Sequence, residues 1–153
     1  MGGEIMNTID ALYLIKYNPF KYSNYIFSFY NKLKIQENNL LFLPLIIPLC
    51  THPILSYKIE KSNKRSSIYT VFFNNHKELH DLQDRINHFR TLSLNSLEYC
   101  LINEWLEISN KNLCCHRATE SNAVKNVKIA EKLSNLFNPY SIVEIYTILG
   151  VKP

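Results

Sequence analysis

Leu40 to Cys50 carry no polar side chain, yet Pro44 and Pro48 interrupt them and Pro53 follows close behind (LLFLPLIIPLCTHP). Few folds accept such a stretch. A bilayer-spanning helix needs about twenty apolar residues, and this run has eleven. A central strand tolerates proline poorly, because the ring removes a ladder donor. Proline also disrupts a helix interior, but it is preorganised for the first turn. The spacing therefore predicts short helical turns, beginning near Pro44 and again near Pro53, folded back into the core.

The rest of the chain supplies helices to enclose that segment. Asn18-Pro19 is a helix start: the amide accepts from orphan N–H groups, and proline fits the first turn. Behind it Tyr22, Tyr25, Ile26, Phe29, Tyr30 and Leu33 recur three and four apart, the spacing of one apolar face. Thr8 is placed to cap a shorter helix over ALYLIKY. Beyond a polar loop at 60–66, SSIYTVFF reads as a short buried helical element that Asn74-Asn75 ends. Residues 76–91 form the most polar helix, with Leu79, Leu82, Ile86 and Phe89 inward. Ser93 or Asn95 then caps SLEYCLINEWLEI, with Leu97, Cys100, Leu101, Glu104 and Trp105 along one side.

WLEI, SNKN and LCCHR read as strand, turn and strand, a hairpin over 107–116. Helix, helix and hairpin in that order is the layout of a winged helix–turn–helix, here about 76–118. A helix through AVKNVKIAEKLSNLF, a break at Asn138-Pro139 and a last helix SIVEIYTIL stopped by Gly150 close the chain. No linker or repeat divides it. The expectation is one domain over 1–153, mainly α with a small β-hairpin (α+β), winged helix–turn–helix-like.

Bulk properties exclude more than they assign. A chain of 153 residues with 46% hydrophobic and 20% charged residues has ordinary globular composition. The net charge of +4 is modest for a nucleic-acid binder. The densest basic group, Lys58, Lys61, Lys64 and Arg65, sits in a Ser/Asn-rich stretch that reads as a solvated loop or a phosphate site. No signal peptide precedes the four cysteines, so a reduced, cytoplasmic protein without a membrane span is expected. Gly2, Gly3 and Gly150 are the three glycines, so no glycine-rich phosphate loop is present. ATP-dependent work then requires a partner that holds the nucleotide.

Three constellations invite chemistry. His76 and His80, four apart, lie on one helix face without a third metal ligand. Cys114-Cys115-His116 resembles a zinc or thiolate site, but adjacent strand residues point to opposite faces. Trp105 reads as core packing or as an aromatic interface anchor. No catalytic, cofactor-binding or metal-ligating residue emerges.

Several pieces together resemble one family, the small middle component of bacterial three-component ABC-ATPase systems. They are Asn18-Pro19-Phe20 opening a helix, and Leu43-Pro44-Leu45, Pro48-Leu49 and His52 in the proline-punctuated segment. Ala130 and Leu133 follow in a C-terminal helix, and Leu149-Gly150-Val151-Lys152-Pro153 ends the chain. The likeness runs from about residue 10 to 153. It implies a non-enzymatic subunit with no cofactor, whose partners are a large ABC ATPase and a third component. It also implies a role in biological conflict, such as defence against phage or plasmids, and by fold analogy it allows DNA contact within the complex.

The candidate partner interface is accordingly Leu43, Pro44, Leu45, Pro48, Leu49 and His52, together with Trp105 and the terminal Leu149, Gly150, Val151, Lys152 and Pro153. Two alternatives stand beside the adaptor. One is a free-standing winged-helix nucleic-acid binder, disfavoured by Glu98 and Glu104 on a helix lacking Lys or Arg. The other is a metal- or thiol-dependent enzyme using Cys114, Cys115 and His116.

Overall fold

A computed structural model describes residues 8–72, 77–118 and 124–153. In chain order the helices are α1 (Thr8–Lys16), α2 (Pro19–Lys32), α3 (Leu43–Cys50), α4 (Leu55–Glu60), α5 (Ile68–Phe72), α6 (Leu82–His88) and α7 (Arg90–Ile102). Strands β1 (Leu106–Ser109) and β2 (Cys114–Arg117) follow, then α8 (Lys128–Phe137) and α9 (Ile142–Leu149). The architecture is mainly α with a small antiparallel hairpin.

Helix α2 is the hub. Asn18 Oδ1 accepts from the Phe20 N–H at 2.8 Å, as the Asn-Pro start predicts. Tyr22, Ile26, Phe29, Tyr30 and Leu33 are buried, and so is Phe27, which lies off that stripe. The extra burial follows from the company α2 keeps: α3, α7, α8 and β2 all pack on it. Ser23 and Ser28 are also fully buried; each hydroxyl donates back to a carbonyl of its own helix, Phe20 O and Asn24 O, at 2.7 Å. Small side chains that satisfy themselves let the neighbouring helices close in.

The apolar run is core, and short helices begin near Pro44 and again just after Pro53, as the spacing predicts. A 3-10 turn (Asn39–Phe42) leads into α3, which carries Pro48 in its interior. An interior proline costs a helix about 3 kcal/mol. Burying a large aliphatic side chain returns about 2 kcal/mol, and Leu45, Ile46, Ile47 and Leu49 are each completely buried. Packing therefore outweighs the local penalty. The Arg85 guanidinium closes the helix end, donating to Pro48 O and to Thr51 Oγ1.

Three expectations need correction. The polar helix does not fill 76–91: residues 77–81 are turn, and α6 begins only at Leu82. Neither Ser93 nor Asn95 caps the next helix, which starts at Arg90. Phe89 makes the break, because its ring turns inward against Tyr17, His88 and the Arg85 guanidinium. The C-terminal helix begins at Lys128, not near Ala123; Val127 is extended, and its N–H donates to Ser28 Oγ at 2.8 Å. The Asn74-Asn75 break and the partner histidine His76 lie outside the described residues.

The hairpin is confirmed: β1 lies one residue downstream of WLEI and β2 starts one residue into LCCHR, with Leu106 opposite Arg117 and Ser109 opposite Cys114. Cys114 and Cys115 are both buried while Glu107 and Arg117 are exposed, so burial in β2 runs from one end of the strand to the other and does not alternate. Glu104 and Leu113 turn at φ 58° and 48°, in the left-handed region that non-glycine residues enter at some cost. Among the described residues no helix is long and apolar enough to cross a membrane.

Candidate functional site

The chain end is built into the fold. Ser141 caps α9 through a reciprocal pair with Glu144, its hydroxyl accepting from the Glu144 N–H and its own N–H donating to the carboxylate. At the other end Gly150 sits at φ 69°. Its N–H reaches Thr147 O, and the Val151 N–H reaches Tyr146 O, the double closure of a glycine-terminated helix. Val151 is buried beneath that turn. The Lys152 N–H then donates to Gln83 Oε1 at 2.8 Å, while Gln83 Nε2 donates to Lys152 O at 3.3 Å. One side chain on α6 thus holds both main-chain groups of Lys152, as a neighbouring strand does.

Beside this tail lies an apolar cleft of about 450 Å³, walled by Leu41, Val143, Tyr146, Val151 and Pro153. Val143 is 74% exposed and Leu41 40% exposed, although both are aliphatic. The Tyr146 hydroxyl donates to Leu41 O and fixes the floor. Burial raises the Tyr146 phenol well above its ordinary pKa, so it stays a donor.

The other expected interface residues fall in three places. Leu43, Leu45, Pro48 and Leu49 point into the core and Pro44 is half-buried, so α3 offers little of that face to the surface. His52 is buried as well. Its Nδ1 accepts from the N–H groups of Ile54 and Leu55 at 3.1 Å, so the ring proton sits on Nε2, 3.2 Å from Asp81 Oδ1. It acts as the cap of α4. Leu149 is buried, whereas Lys152 and Pro153 are exposed at the cleft. Trp105 stands elsewhere, half-buried, edge-on to Phe27 and Tyr99; Tyr99 in turn meets the exposed Phe20, and Ile102 lies open one turn along α7. The structure joins the tail to Leu41 and Tyr146, and it keeps Trp105 apart from them.

The thiols are poorly set for nucleophilic chemistry. Cys50, Cys100 and Cys115 are buried, and burial pushes all three above the ordinary thiol pKa, Cys100 to about 12. An attacking thiolate needs the opposite shift. Cys114 is likewise buried. Among the described residues no three His, Cys, Asp or Glu side chains gather as a metal site.

Side-chain amides carry structure that sequence patterns did not reveal. Asn39 is buried; its Nδ2 donates to Cys115 O at 2.8 Å, and its Oδ1 accepts from the Cys115 N–H at 2.6 Å. It completes the outer edge of β2 in place of a third strand. Asn138 does the same for the end of α2, accepting from the Lys34 N–H and donating to Lys32 O. Gln83 is the third of the set. In a chain so rich in asparagine, no periodicity marks these positions.

Among curated proteins and among solved structures, none matches this chain. A family model does, over residues 6–153, and it takes in α1 to α9, the proline-punctuated α3 and the Gly150–Pro153 tail alike. The chain belongs to the family described as ABC-three component (ABC-3C) system Middle Component 3.

Proposed function

We propose that this protein is a non-catalytic adaptor subunit of a three-component ABC-type ATPase system, working by protein–protein contact in the bacterial cytoplasm. Its partners are the large ABC ATPase and the third component, and the system acts in conflict with phage or plasmids. The observation that carries the reading is the family match across 6–153, which assigns a middle component to a multi-component system. Two features of the chain support it. No glycine lies between Gly3 and Gly150, so nucleotide must be held by another subunit. The three thiols with resolved shifts are held protonated.

The docking surface we assign is the cleft at the tail, around Leu41, Val143 and Pro153. It exposes aliphatic side chains on a rigid floor, and such a patch serves better as an interface than as a solvated surface. Of the residues expected from sequence, Gly150, Val151, Lys152 and Pro153 line it, whereas Leu43, Leu45, Pro48, Leu49 and His52 are buried away from it. Trp105, with Tyr99, Phe20 and Ile102, forms a second contact for the third component.

The free-standing winged-helix reading is weaker. A helix that reads a groove needs a basic exposed face, and behind Arg90 and Thr91 α7 exposes Leu94, Asn95, Glu98 and Ile102. Any DNA contact by the complex is better sought elsewhere on the chain. The test is co-expression with the adjacent genes and purification on a tag carried by this chain. A stoichiometric ATPase that is lost in Val143→Asp supports the reading; an ATPase recovered equally by wild type and by Val143→Asp moves the interface away from the cleft.

A further inference from the structure

The loop between α4 and α5 rests against α8 and bounds two clefts that share Ser62 and Ser66. One, of about 530 Å³, carries Lys64 and Lys132 with the amides of Asn63 and Asn135. The other, of about 390 Å³, carries Lys58, Lys61, Thr70 and the ring of Tyr57. Because the two serines line both, the clefts adjoin there, and together they are taken as one groove. No carboxylate is among these lining side chains, although Lys58 Nζ lies 4.0 Å from Glu78 Oε1 at the edge. Positive charge is concentrated here: residues 58–65 hold four cations and one carboxylate, in a chain whose whole net charge is +4.

The cations are positioned by the fold. The Lys132 ammonium donates to Glu60 O, which ties α8 to the end of α4. Lys61 Nζ lies 4.3 Å from the centroid of the Tyr57 ring, which is 56% exposed. At the far end Pro139 closes the groove, and beside it Tyr140 meets the half-exposed Tyr69 edge-on at 5.8 Å. Lysines and amides spaced along a groove, with the Tyr57 ring in its wall and the Tyr69 ring beside it, suit a linear polyanion that also carries flat rings. A phosphopeptide calls for cations converging on one phosphate, usually as guanidinium forks. Here they are strung out and mostly lysine.

We infer that the groove between the 61–67 loop and α8 binds single-stranded nucleic acid, with phosphates along Lys61, Lys64 and Lys132 and bases against Tyr57 and Tyr69. The site is distant in sequence from the hairpin and shares no residue with the tail cleft, so this inference and the adaptor reading stand or fall separately.

The experiment is fluorescence anisotropy of a labelled oligothymidylate of about 20 nucleotides, several times the site of one small module. It is titrated with the full chain at about 50 mM and about 200 mM salt. Three engaged cations predict a slope of log affinity against log salt near −2, at about −0.7 per contact. The double variant Lys61→Glu, Lys64→Glu is expected to weaken binding at least about 100-fold, since it removes two contacts and adds two repulsions. Tyr57→Ala is expected to weaken it by about tenfold, the lower end for loss of one stacking platform. Lys111→Glu, on the hairpin turn, is expected to stay within about twofold. All these side chains are exposed, so the variants are expected to keep the fold, which circular dichroism checks. The inference is overturned by absence of binding at low salt, or by equal loss in the Lys111 variant. It is overturned too if polyglutamate competes as well as oligothymidylate, which marks an acidic protein segment as the occupant.

Discussion

Replacing Asn39 by alanine tests the account of how the hairpin is held. The side chain is 1% exposed and makes two hydrogen bonds to one residue, Nδ2 to Cys115 O at 2.8 Å and Oδ1 from the Cys115 N–H at 2.6 Å. Truncation leaves a buried N–H and a buried carbonyl without partners. Each orphaned group costs about 1–3 kcal/mol, so the sum is about 3 kcal/mol, a large part of a typical domain's stability. With a urea slope of about 2 kcal/mol/M for a chain this size, the midpoint should fall by about 1.5 M. Asn39→Asp should be at least as damaging: a carboxylate still accepts from the Cys115 N–H, but it cannot donate to the carbonyl and brings a charge into the core. Asn95→Ala, exposed on α7, is the control and should stay within about 0.5 kcal/mol. The assay is equilibrium urea unfolding followed by Trp105 fluorescence. A midpoint shift in Asn39→Ala no larger than that of Asn95→Ala would refute the claim that this amide stands in for a third strand.

Other consequences are open to measurement. Cys50, Cys100 and Cys115 are raised above the free thiol value of 9.0, so the native state holds protons that the unfolded chain releases. Their contribution is complete below about pH 9 and is lost above it, by up to about 1.4 kcal/mol per pH unit for each thiol. Urea midpoints at pH 8 and pH 10 should therefore differ clearly, and a flat profile would count against the buried thiols. Gly150→Ala meets nothing within 4 Å of the new Cβ, but it must hold φ 69°. A loss of about 1 kcal/mol with the fold intact is expected in thermal unfolding. His52→Ala removes the cap of α4 together with the Asp81 contact and should cost about 1–3 kcal/mol by the same assay.

How much of this was legible beforehand depends on the physics each feature uses. Helix α2 was readable because burial imposes a spacing and Asn18-Pro19 marks a start. The hairpin was readable from its turn, and the tail from Gly150. The apolar run was read as core with helices starting near Pro44 and Pro53, as found; that α3 would keep Pro48 in its interior was not legible, because packing on all sides decides there, and packing is not local. The break at Phe89 carries neither glycine nor proline; an aromatic ring reaching for the core makes it. The cleft proposed as the docking surface was only partly legible. Val151, Lys152 and Pro153 do reach the surface cleft, but its other wall is Leu41 and Val143, more than a hundred residues apart in sequence. Nothing in either segment signals the other. The basic loop was visible as a charge run, whereas Lys132 and Tyr140 meet it only through the docking of α8.

The most direct test of the adaptor account is a tagged pull-down from cells expressing this chain with its neighbouring genes, run in parallel for wild type, Val143→Asp and Lys111→Glu. Val143 is 74% exposed, so the aspartate does not disturb the core. The account predicts a large ABC ATPase recovered at stoichiometric amounts with wild type and Lys111→Glu, and lost with Val143→Asp. A wild-type chain that elutes alone, as a monomer, contradicts it.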